Sequence, residues 1–179
     1  MEMLPLIIQG LLLIAFAVFA YFSLVRSSLS LAPWVPTRSK DFARVQSIIC
    51  LKPGQKLYEI GCGDARVAIS IAKRFPEALV VGVEISPLMY CIACARTFFS
   101  GVKNLRIQCA DALKMNLRDA DVVYVYALPK TVNQTLMPKL RSELKRGSVL
   151  ISYSFSINDE GVVVHSIPGE ANIYVLMMT

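Results

Sequence analysis

The sequence has little histidine and no concentration of positive charge. His165 is its only histidine, so the chain cannot build a histidine-based metal site, and we expect no metal. The formal net charge is +6, but the basic residues are scattered, without a run of five or an arginine-rich tail. Because a nucleic-acid-binding domain gathers such charge on one face or helix, we expect no nucleic-acid partner.

A disulfide framework is not expected either. The chain has 5 cysteines, an odd number without framework spacing, which favours reduced thiols. Cys91 and Cys94 form a C-x-x-C pair, but inside an apolar helix pattern and without a second ligand pair. We interpret them as structural cysteines rather than as metal or redox groups.

A long segment near the start of the chain has no charged side chains. The 21 residues from Pro5 to Val25 carry no charged side chain, and an apolar helix of about 20 residues crosses a bilayer. A cleaved signal peptide would have a basic leading region and an apolar core of about 7–15 residues. Here the only charged side chain before the run is Glu2. A buried core helix would show polar positions at a helical period. We therefore predict a transmembrane anchor.

The flanking charges predict the orientation of this anchor. Four basic residues follow it, namely Arg26, Arg38, Lys40 and Arg44. By the positive-inside rule the rest of the chain lies in the cytoplasm, so we expect a single-pass membrane protein with the lipid bilayer as a partner. The serine-rich segment after the anchor holds two prolines and indicates a linker. The chain then divides into an anchor at 1–26, a juxtamembrane linker at 27–40 and one domain at 41–179.

The domain alternates between strand and helix patterns. Apolar runs predict strands at 56–60, 79–84, 105–109, 121–126 and 148–155, and a closing pair at 162–167 and 172–177. Helices are expected at 41–50, 64–75, 131–144 and from residue 87, where a serine and a proline begin the segment. The first four strands are apolar on successive residues, as in a parallel sheet covered on both faces. The predicted fold class is α/β, a Rossmann-like sheet with helices on both faces.

The first strand ends in a glycine-rich turn that leads directly into a helix. Gly61 and Gly63, followed by Asp64, allow a sharp turn and the close approach of a ligand. A dinucleotide site must accept a pyrophosphate and favours an apolar residue before the glycines, but here Glu59 stands two positions before Gly61. Fixed negative charge suits a ligand with an ammonium and a sulfonium, which is S-adenosylmethionine. A nicotinamide cofactor is the alternative that this acid disfavours.

Two more acids follow the next two strands. Glu84 ends the second strand, where a carboxylate can accept hydrogen bonds from both ribose hydroxyls. Asp111 follows the third strand, where an acid can accept from the adenine amine. Acids after three successive strands are a more specific signal than any one of them. The predicted cofactor-binding residues are therefore Glu59, Gly61, Gly63, Asp64, Glu84 and Asp111.

Four segments within residues 33–157 carry a family resemblance. They are P-W-V-P-T at 33–37, E-I-G-C-G-D-A-R at 59–66, G-V-E-I-S-P at 82–87 and M-P-K-L-R-S-E-L-K-R-G at 137–147. With them the chain resembles the class I, seven-strand methyltransferases. Within that class it is similar to a short protein-lysine methyltransferase family, whose members are small archaeal enzymes and mitochondrial enzymes acting on membrane-embedded proteins. Where that family reads D-x-G-C-G-D-G-R, this chain has Glu59 and Ala65.

The resemblance implies S-adenosylmethionine as the cofactor and adds two residues to the site. It implies a cofactor-binding role for Thr37 and a place near the methyl acceptor for Asn133. From their positions after the fourth strand, Tyr126, Leu128 and Pro129 are predicted to line an apolar acceptor entry, together with Tyr153 and Phe155 on the fifth strand. We assign no general base.

The expected function is protein-lysine N-methylation of a membrane or membrane-proximal protein. One alternative keeps the reaction but changes the acceptor to a lipid, a quinone or another small amphiphile. A second alternative is a degenerate cofactor-binding domain without turnover, for which Ala65 is the only support.

Overall fold

Seven strands form one mixed sheet in the computed structural model, which describes residues 3–28 and 37–179. The strands are β1 Lys56–Ile60, β2 Leu79–Glu84, β3 Leu105–Cys109, β4 Val122–Val125, β5 Val149–Tyr153, β6 Val163–His165 and β7 Ile173–Met177. Their order is β3-β2-β1-β4-β5-β7-β6. Strands β1 to β5 are parallel, and β7 is antiparallel to both β5 and β6. The predicted Rossmann-like sheet is confirmed.

Five α-helices accompany the strands in the described residues. They are α1 Met3–Ser28, α2 Phe42–Ile48, α3 Arg66–Arg74, α4 Pro87–Ser100 and α5 Met137–Glu143. A 3-10 turn, Ser39–Asp41, leads into α2, and a π-helical segment, Thr131–Leu136, leads into α5. The prediction of one α-helix over 131–144 is therefore wrong in its first half. The remaining helices lie where they were expected, and α2 is shorter than its predicted span.

Alternate residues of the strands supply two apolar cores, one on each face of the sheet. Leu57 of β1 packs on the face covered by α2, α3 and α4. Its neighbours Tyr58 and Ile60 pack on the opposite face, beneath the π-helical segment and α5. Helices on both faces explain why β1, β2 and β4 are apolar on successive residues. Because β1 to β5 are parallel, their carboxyl ends lie together at one edge of the sheet.

Helix α1 differs from the other helices in its exposure. Its segment Met3–Ser23 has a mean hydropathy of 2.5 and is long and apolar enough to cross a membrane. The side chain of Leu13 is 68% exposed, whereas Ser23, near the C-terminal end, is 2% exposed. The helix contacts α4. The predicted apolar run lies inside α1, while the first four residues of the P-W-V-P-T stretch lie outside the described residues.

Candidate active site

The turn after β1 has the backbone geometry that its glycines allow. Gly61 and Gly63 have φ angles of 72° and 55°, in the left-handed region that favours glycine. The N–H groups of Gly61 and Cys62 both donate to the carbonyl oxygen of Val83, at 2.8 and 3.0 Å. A Cβ atom built on Gly61 would meet no atom within 4 Å. The turn is thus fixed against β2, with open space for a ligand above Gly61.

Ala65 continues the left-handed path of this turn. Its φ is 61° and its ψ is 20°, and it precedes the first residue of α3. Such a conformation costs a residue with a Cβ about 1–2 kcal/mol. Ala65 is fully buried, at 0% exposure. The turn accommodates alanine because its single methyl group packs into the core beneath α3.

Glu84 joins the end of β2 to the glycine turn. One carboxylate oxygen, Oε2, accepts a hydrogen bond from the N–H of Gly63 at 2.9 Å, and Oε1 accepts from the N–H of Ser86 at 2.8 Å. The residue is 8% exposed. Each carboxylate oxygen keeps a further lone-pair site. Glu84 can therefore hold the turn and accept hydrogen bonds from the hydroxyl groups of a ligand at the same time.

Glu59 places a buried carboxyl group beneath the same turn. It is 5% exposed, and its Oε2 has no hydrogen-bond partner among the described residues. Burial raises the pKa of Glu59 well above its ordinary value; a bond from the backbone of Ala68 opposes this, and the charges of Asp64 and Glu84 add to it. A buried acid without a cationic partner favours its protonated form. A positively charged ligand at this point would restore its charge, so the site fits a cationic cofactor.

Asp64, in contrast, already has cationic partners. Its Oδ2 lies 2.8 Å from Nε of Arg66 on α3 and 3.2 Å from Nη1 of Arg96 on α4. The residue is 7% exposed. Asp64 stays a predicted cofactor ligand, but it would have to share its carboxylate with these two arginines.

Asp111 lies at the end of the neighbouring strand. The N–H of Ala110 donates to the carbonyl oxygen of Glu84 at 2.9 Å, which brings the two strand ends together. Oδ1 of Asp111 accepts from the N–H of Leu113 at 3.0 Å and shapes the turn that follows β3. The structure therefore brings Glu59, Glu84 and Asp111 to one edge of the sheet.

Thr37 reaches this edge from the segment before α2. Its Oγ1 lies 3.4 Å from the hydroxyl oxygen of Tyr124, and both side chains are buried. Tyr124 is the register partner of Glu59 across β4 and β1. Burial raises the pKa of Tyr124, and the hydrogen bond with Thr37 opposes the rise. Thr37 is thus one strand away from Glu59.

Aromatic rings form an apolar wall at the carboxyl ends of β4 and β5. Tyr126 meets Tyr153 edge to face, with 4.9 Å between ring centroids, and stacks on Phe155 at 5.7 Å. The hydroxyl of Tyr153 donates to Oδ2 of Asp41 at 2.6 Å. Burial, and then this bond, raises the pKa of Tyr153. The phenol therefore keeps its proton and anchors the wall to the start of α2.

Asn133 connects the loops that follow β4 and β5. Its Nδ2 donates to the carbonyl oxygens of Pro129 at 2.8 Å and Ser156 at 2.9 Å, and its Oδ1 accepts from the N–H of Asn158 at 2.7 Å. Leu128 is exposed on the first of these loops, and Pro129, also exposed, begins the helical turn that leads into the π-helical segment. With its amide used in this way, Asn133 fixes the position of Pro129. The geometry favours a positioning role over direct contact with an acceptor.

Three residues that help to shape the candidate site were not predicted from the sequence. Asp41 is fully buried and bonds to Tyr153, which is 112 positions away. Arg96 of α4 pairs with Asp64 of the glycine turn. Gly82 leaves room for the turn, because a Cβ there would lie 2.9 Å from Sγ of Cys62. Of these three, only Gly82 could have been found from the sequence, because a glycine stands two residues before Glu84 in β2.

The described residues show no metal-binding arrangement. Within residues 3–28 and 37–179 no group of three or more histidine, cysteine, aspartate or glutamate side chains is placed to hold a metal ion.

The chain is similar to known proteins over this site. The family model of the ANTKMT methyltransferase domain matches residues 59–162. A protein-lysine N-methyltransferase of Saccharolobus islandicus is 35% identical over 126 residues, which cover 70% of this chain and 78% of that protein. A lysine N-methyltransferase of Mus musculus, named for an ATP synthase subunit, is 29% identical over 151 residues. That match covers 83% of this chain but only 59% of the mouse protein.

A solved structure with the same fold contains a ligand of the expected chemistry. It is an RNA methyltransferase of Salinibacter ruber in complex with S-adenosyl-L-homocysteine, with a TM-score of 0.74 and 27% sequence identity. The match covers 80% of this chain and 94% of that chain. S-adenosylhomocysteine is what S-adenosylmethionine becomes when it has given up its methyl group.

Proposed function

Because the chain belongs to the ANTKMT methyltransferase domain family and is an S-adenosylmethionine-dependent methyltransferase, we propose that it methylates lysine side chains of proteins at a membrane. The observation that carries the lysine acceptor is the similarity to the Saccharolobus islandicus protein-lysine N-methyltransferase, 35% over 126 residues. The mouse relative, of which the chain spans 59%, supports the same acceptor.

The acids of the sheet edge support a cofactor-binding role. The cofactor supplies a methyl group activated by a sulfonium. Glu84 would accept hydrogen bonds from the ribose hydroxyls, and Asp111 from the adenine amine. Glu59, whose Oε2 has no partner in the described part of the chain, would face the positive charge. Gly61 and Gly63 would let the cofactor approach the turn closely.

The aromatic wall supports the handling of a lysine acceptor. A lysine amine reacts only after it loses a proton, and the pKa of an unperturbed lysine is about 10.4. Tyr126, Phe155 and Leu128 would surround the aliphatic part of the side chain and exclude water, which lowers the pKa of the ammonium. Holding the amine about 3–3.5 Å from the methyl carbon can supply roughly 7–11 kcal/mol. Tyr153 is not a candidate base, since its raised pKa keeps its proton on the bond to Asp41.

Helix α1 supports a location at the membrane. It is long and apolar enough to span a bilayer, and Arg38, Lys40 and Arg44 follow it. We propose a single-pass anchor with the catalytic domain on the cytoplasmic side, where positive charge is retained. A short tether raises the local concentration of a membrane-bound target to the order of millimolar, so the substrate would be a membrane or membrane-proximal protein.

Label transfer in membranes tests the proposed acceptor. Membranes containing the wild-type chain or the Glu84→Ala variant would be incubated with S-adenosylmethionine tritiated in its methyl group. We expect tritium counts in the protease-sensitive fraction and methyl-lysine in its mass spectrum. With Glu84→Ala the counts in this fraction should fall at least tenfold. Counts that extract into organic solvent would mean a lipid or quinone acceptor. Counts that ribonuclease removes would mean an RNA acceptor, as in the Salinibacter ruber protein. Cofactor binding without any transfer would mean a domain without turnover.

A further inference from the structure

An open groove of about 600 Å³ lies between α3 and α4, on the sheet face opposite α5. Its walls combine basic and apolar side chains and include Arg66, Ile69, Lys73, Ile92, Arg96 and Phe99. None of the groups assigned to the acceptor entry belongs to these walls. The groove is therefore separate from the acceptor entry, and Arg66 and Arg96 connect its walls to Asp64 of the glycine turn.

The groove has an excess of positive charge. Arg66 and Arg96 share the single carboxylate of Asp64. Lys73 has no ion-pair partner in the described part of the chain, and it lies about two turns beyond Arg66 on α3. Three cations against one carboxylate leave a net positive surface. Such a surface suits an anionic group, because a phosphate can accept hydrogen bonds from several donors at once.

The end of α4 that includes Phe99 of the groove wall is unusually apolar for a surface in water. Phe98 and Phe99 of α4 are 80% and 85% exposed, and their rings meet edge to face with 5.4 Å between centroids. The same helix contacts α1, which is long and apolar enough to span a membrane. Aromatic and aliphatic side chains next to basic ones are typical of surfaces that lie at the lipid headgroup level.

We propose that this groove binds the headgroup phosphate of an anionic phospholipid, with the acyl chains passing Phe99 toward α1. The proposal rests on the membrane anchoring proposed above. Lys73, Arg66 and Arg96 would contact the phosphate, while Phe98 and Phe99 would enter the headgroup layer beside the anchor. A free phosphate ion would use the same cations but would gain nothing from the two rings. The groove would hold α3 and α4 toward the bilayer.

Native mass spectrometry of the full chain in an uncharged detergent tests this site. Phosphatidylglycerol, phosphatidylcholine and inorganic phosphate would be added separately to the wild type and to three variants. We expect one phosphatidylglycerol per chain, bound at least tenfold more tightly than the other two ligands. Lys73→Gln should weaken that binding about fivefold, the contribution of one basic residue at an anionic surface, and Lys73→Arg should preserve it. Arg118→Gln, which removes an exposed cation beside Leu117 on the opposite face, should have no effect.

Three results would overturn the proposal. They are equal binding of phosphatidylglycerol and phosphatidylcholine, equal losses in Lys73→Gln and Arg118→Gln, and inorganic phosphate bound as tightly as the lipid. Alkaline extraction and methyl transfer, measured on membranes that contain the same chains before detergent is added, separate this outcome from failure of the proposed function. A chain that resists extraction and methylates protein but has no lipid site would refute the groove alone. A chain that alkali removes from membranes would refute the anchor and the groove together.

Discussion

Glu59 and Asp64 are both buried acids near the glycine turn, but their charges are balanced differently. Asp64 is paired with Arg66 and Arg96, whereas Glu59 has an oxygen without a partner among the described residues. Burial raises the pKa of Glu59 well above 4.5. The chain by itself therefore favours a protonated Glu59, and a cationic cofactor favours the carboxylate.

Replacing Glu59 should stabilise the cofactor-free protein at neutral pH while weakening the site. Because the folded pKa is raised, the stability due to Glu59 is complete below the ordinary glutamate pKa and is lost as the pH rises through the raised value. In Glu59→Gln the free energy of unfolding should no longer fall as the pH rises through this range, so its slope against pH should disappear. Cofactor affinity should fall at least tenfold. Thermal unfolding across pH and calorimetric titration measure the two effects.

Glu77→Gln is the matched control for Glu59→Gln, because Glu77 is exposed in the loop before β2. It should leave both the slope and the affinity unchanged. A Glu59→Gln variant that keeps the wild-type slope would show that Glu59 is charged in the free protein.

Ala65 offers a test of the alternative that the domain is degenerate. In Ala65→Gly, relief of about 1–2 kcal/mol of left-handed strain is offset by loss of a buried methyl group, about 0.8 kcal/mol, and by the freer unfolded chain, about 0.4–1 kcal/mol. The free energy of unfolding should change by less than about 1 kcal/mol, with cofactor affinity unchanged. Denaturant titration and calorimetry measure these quantities. A tenfold gain in affinity would mean that alanine weakens the site.

At the scale of elements, the proposed acceptor side depends on two segments that a single side chain connects. Asn133 fastens the loop after β4 to the loop after β5, next to the ring wall of Tyr126 and Phe155. The π-helical segment Thr131–Leu136 carries this asparagine, and such segments recur at functional sites.

Asn133→Ala should lower the rate of methyl transfer without weakening the cofactor. The variant loses three hydrogen bonds of about 0.5–1.5 kcal/mol each, so the two loops should separate and misplace the acceptor. We expect kcat to fall at least tenfold while the Kd for S-adenosylmethionine stays within twofold. Asn116→Ala, which changes an exposed asparagine between β3 and β4, is the control. A parallel loss of cofactor affinity would place Asn133 in the cofactor site instead.

The elements could be predicted from the sequence more completely than the contacts between them. Strands β1, β2 and β3 match their predicted limits, because polar or glycine-containing turns bound each of them. The π-helical start of the last helix could not be predicted, since its apolar spacing is also that of an α-helix. The bond from Tyr153 to Asp41 depends on packing between distant segments, and no local pattern indicates it.

At the scale of the whole molecule, α1 and the sheet edge have separable roles. The carboxyl ends of β1, β2 and β3 carry the acids of the proposed cofactor site, while α1 contacts the outer helix α4. An anchor should therefore determine where the enzyme acts without determining whether it can transfer a methyl group.

Leu13→Arg tests this separation. An arginine at the centre of a spanning helix costs about 2.5–3.5 kcal/mol on insertion scales, and Leu13 is 68% exposed along α1. The variant should become extractable by alkali and lose transfer to membrane proteins, yet keep transfer to a soluble lysine peptide. Leu13→Ala should behave as the wild type does. Loss of activity on the soluble peptide as well would show that α1 is needed for the fold of the domain.

Glu59, a buried acid at the carboxyl edge of the sheet, is expected to become charged when a cationic adenosyl cofactor binds beside it. Calorimetry in buffers of different ionisation enthalpy measures it most directly, because it counts the protons released when S-adenosylmethionine binds. Because burial raises the pKa of Glu59 well above its ordinary value, the wild-type chain at neutral pH should release protons on binding, and the Glu59→Gln variant should release fewer. Equal proton release by both chains, with equal affinity, would contradict the account.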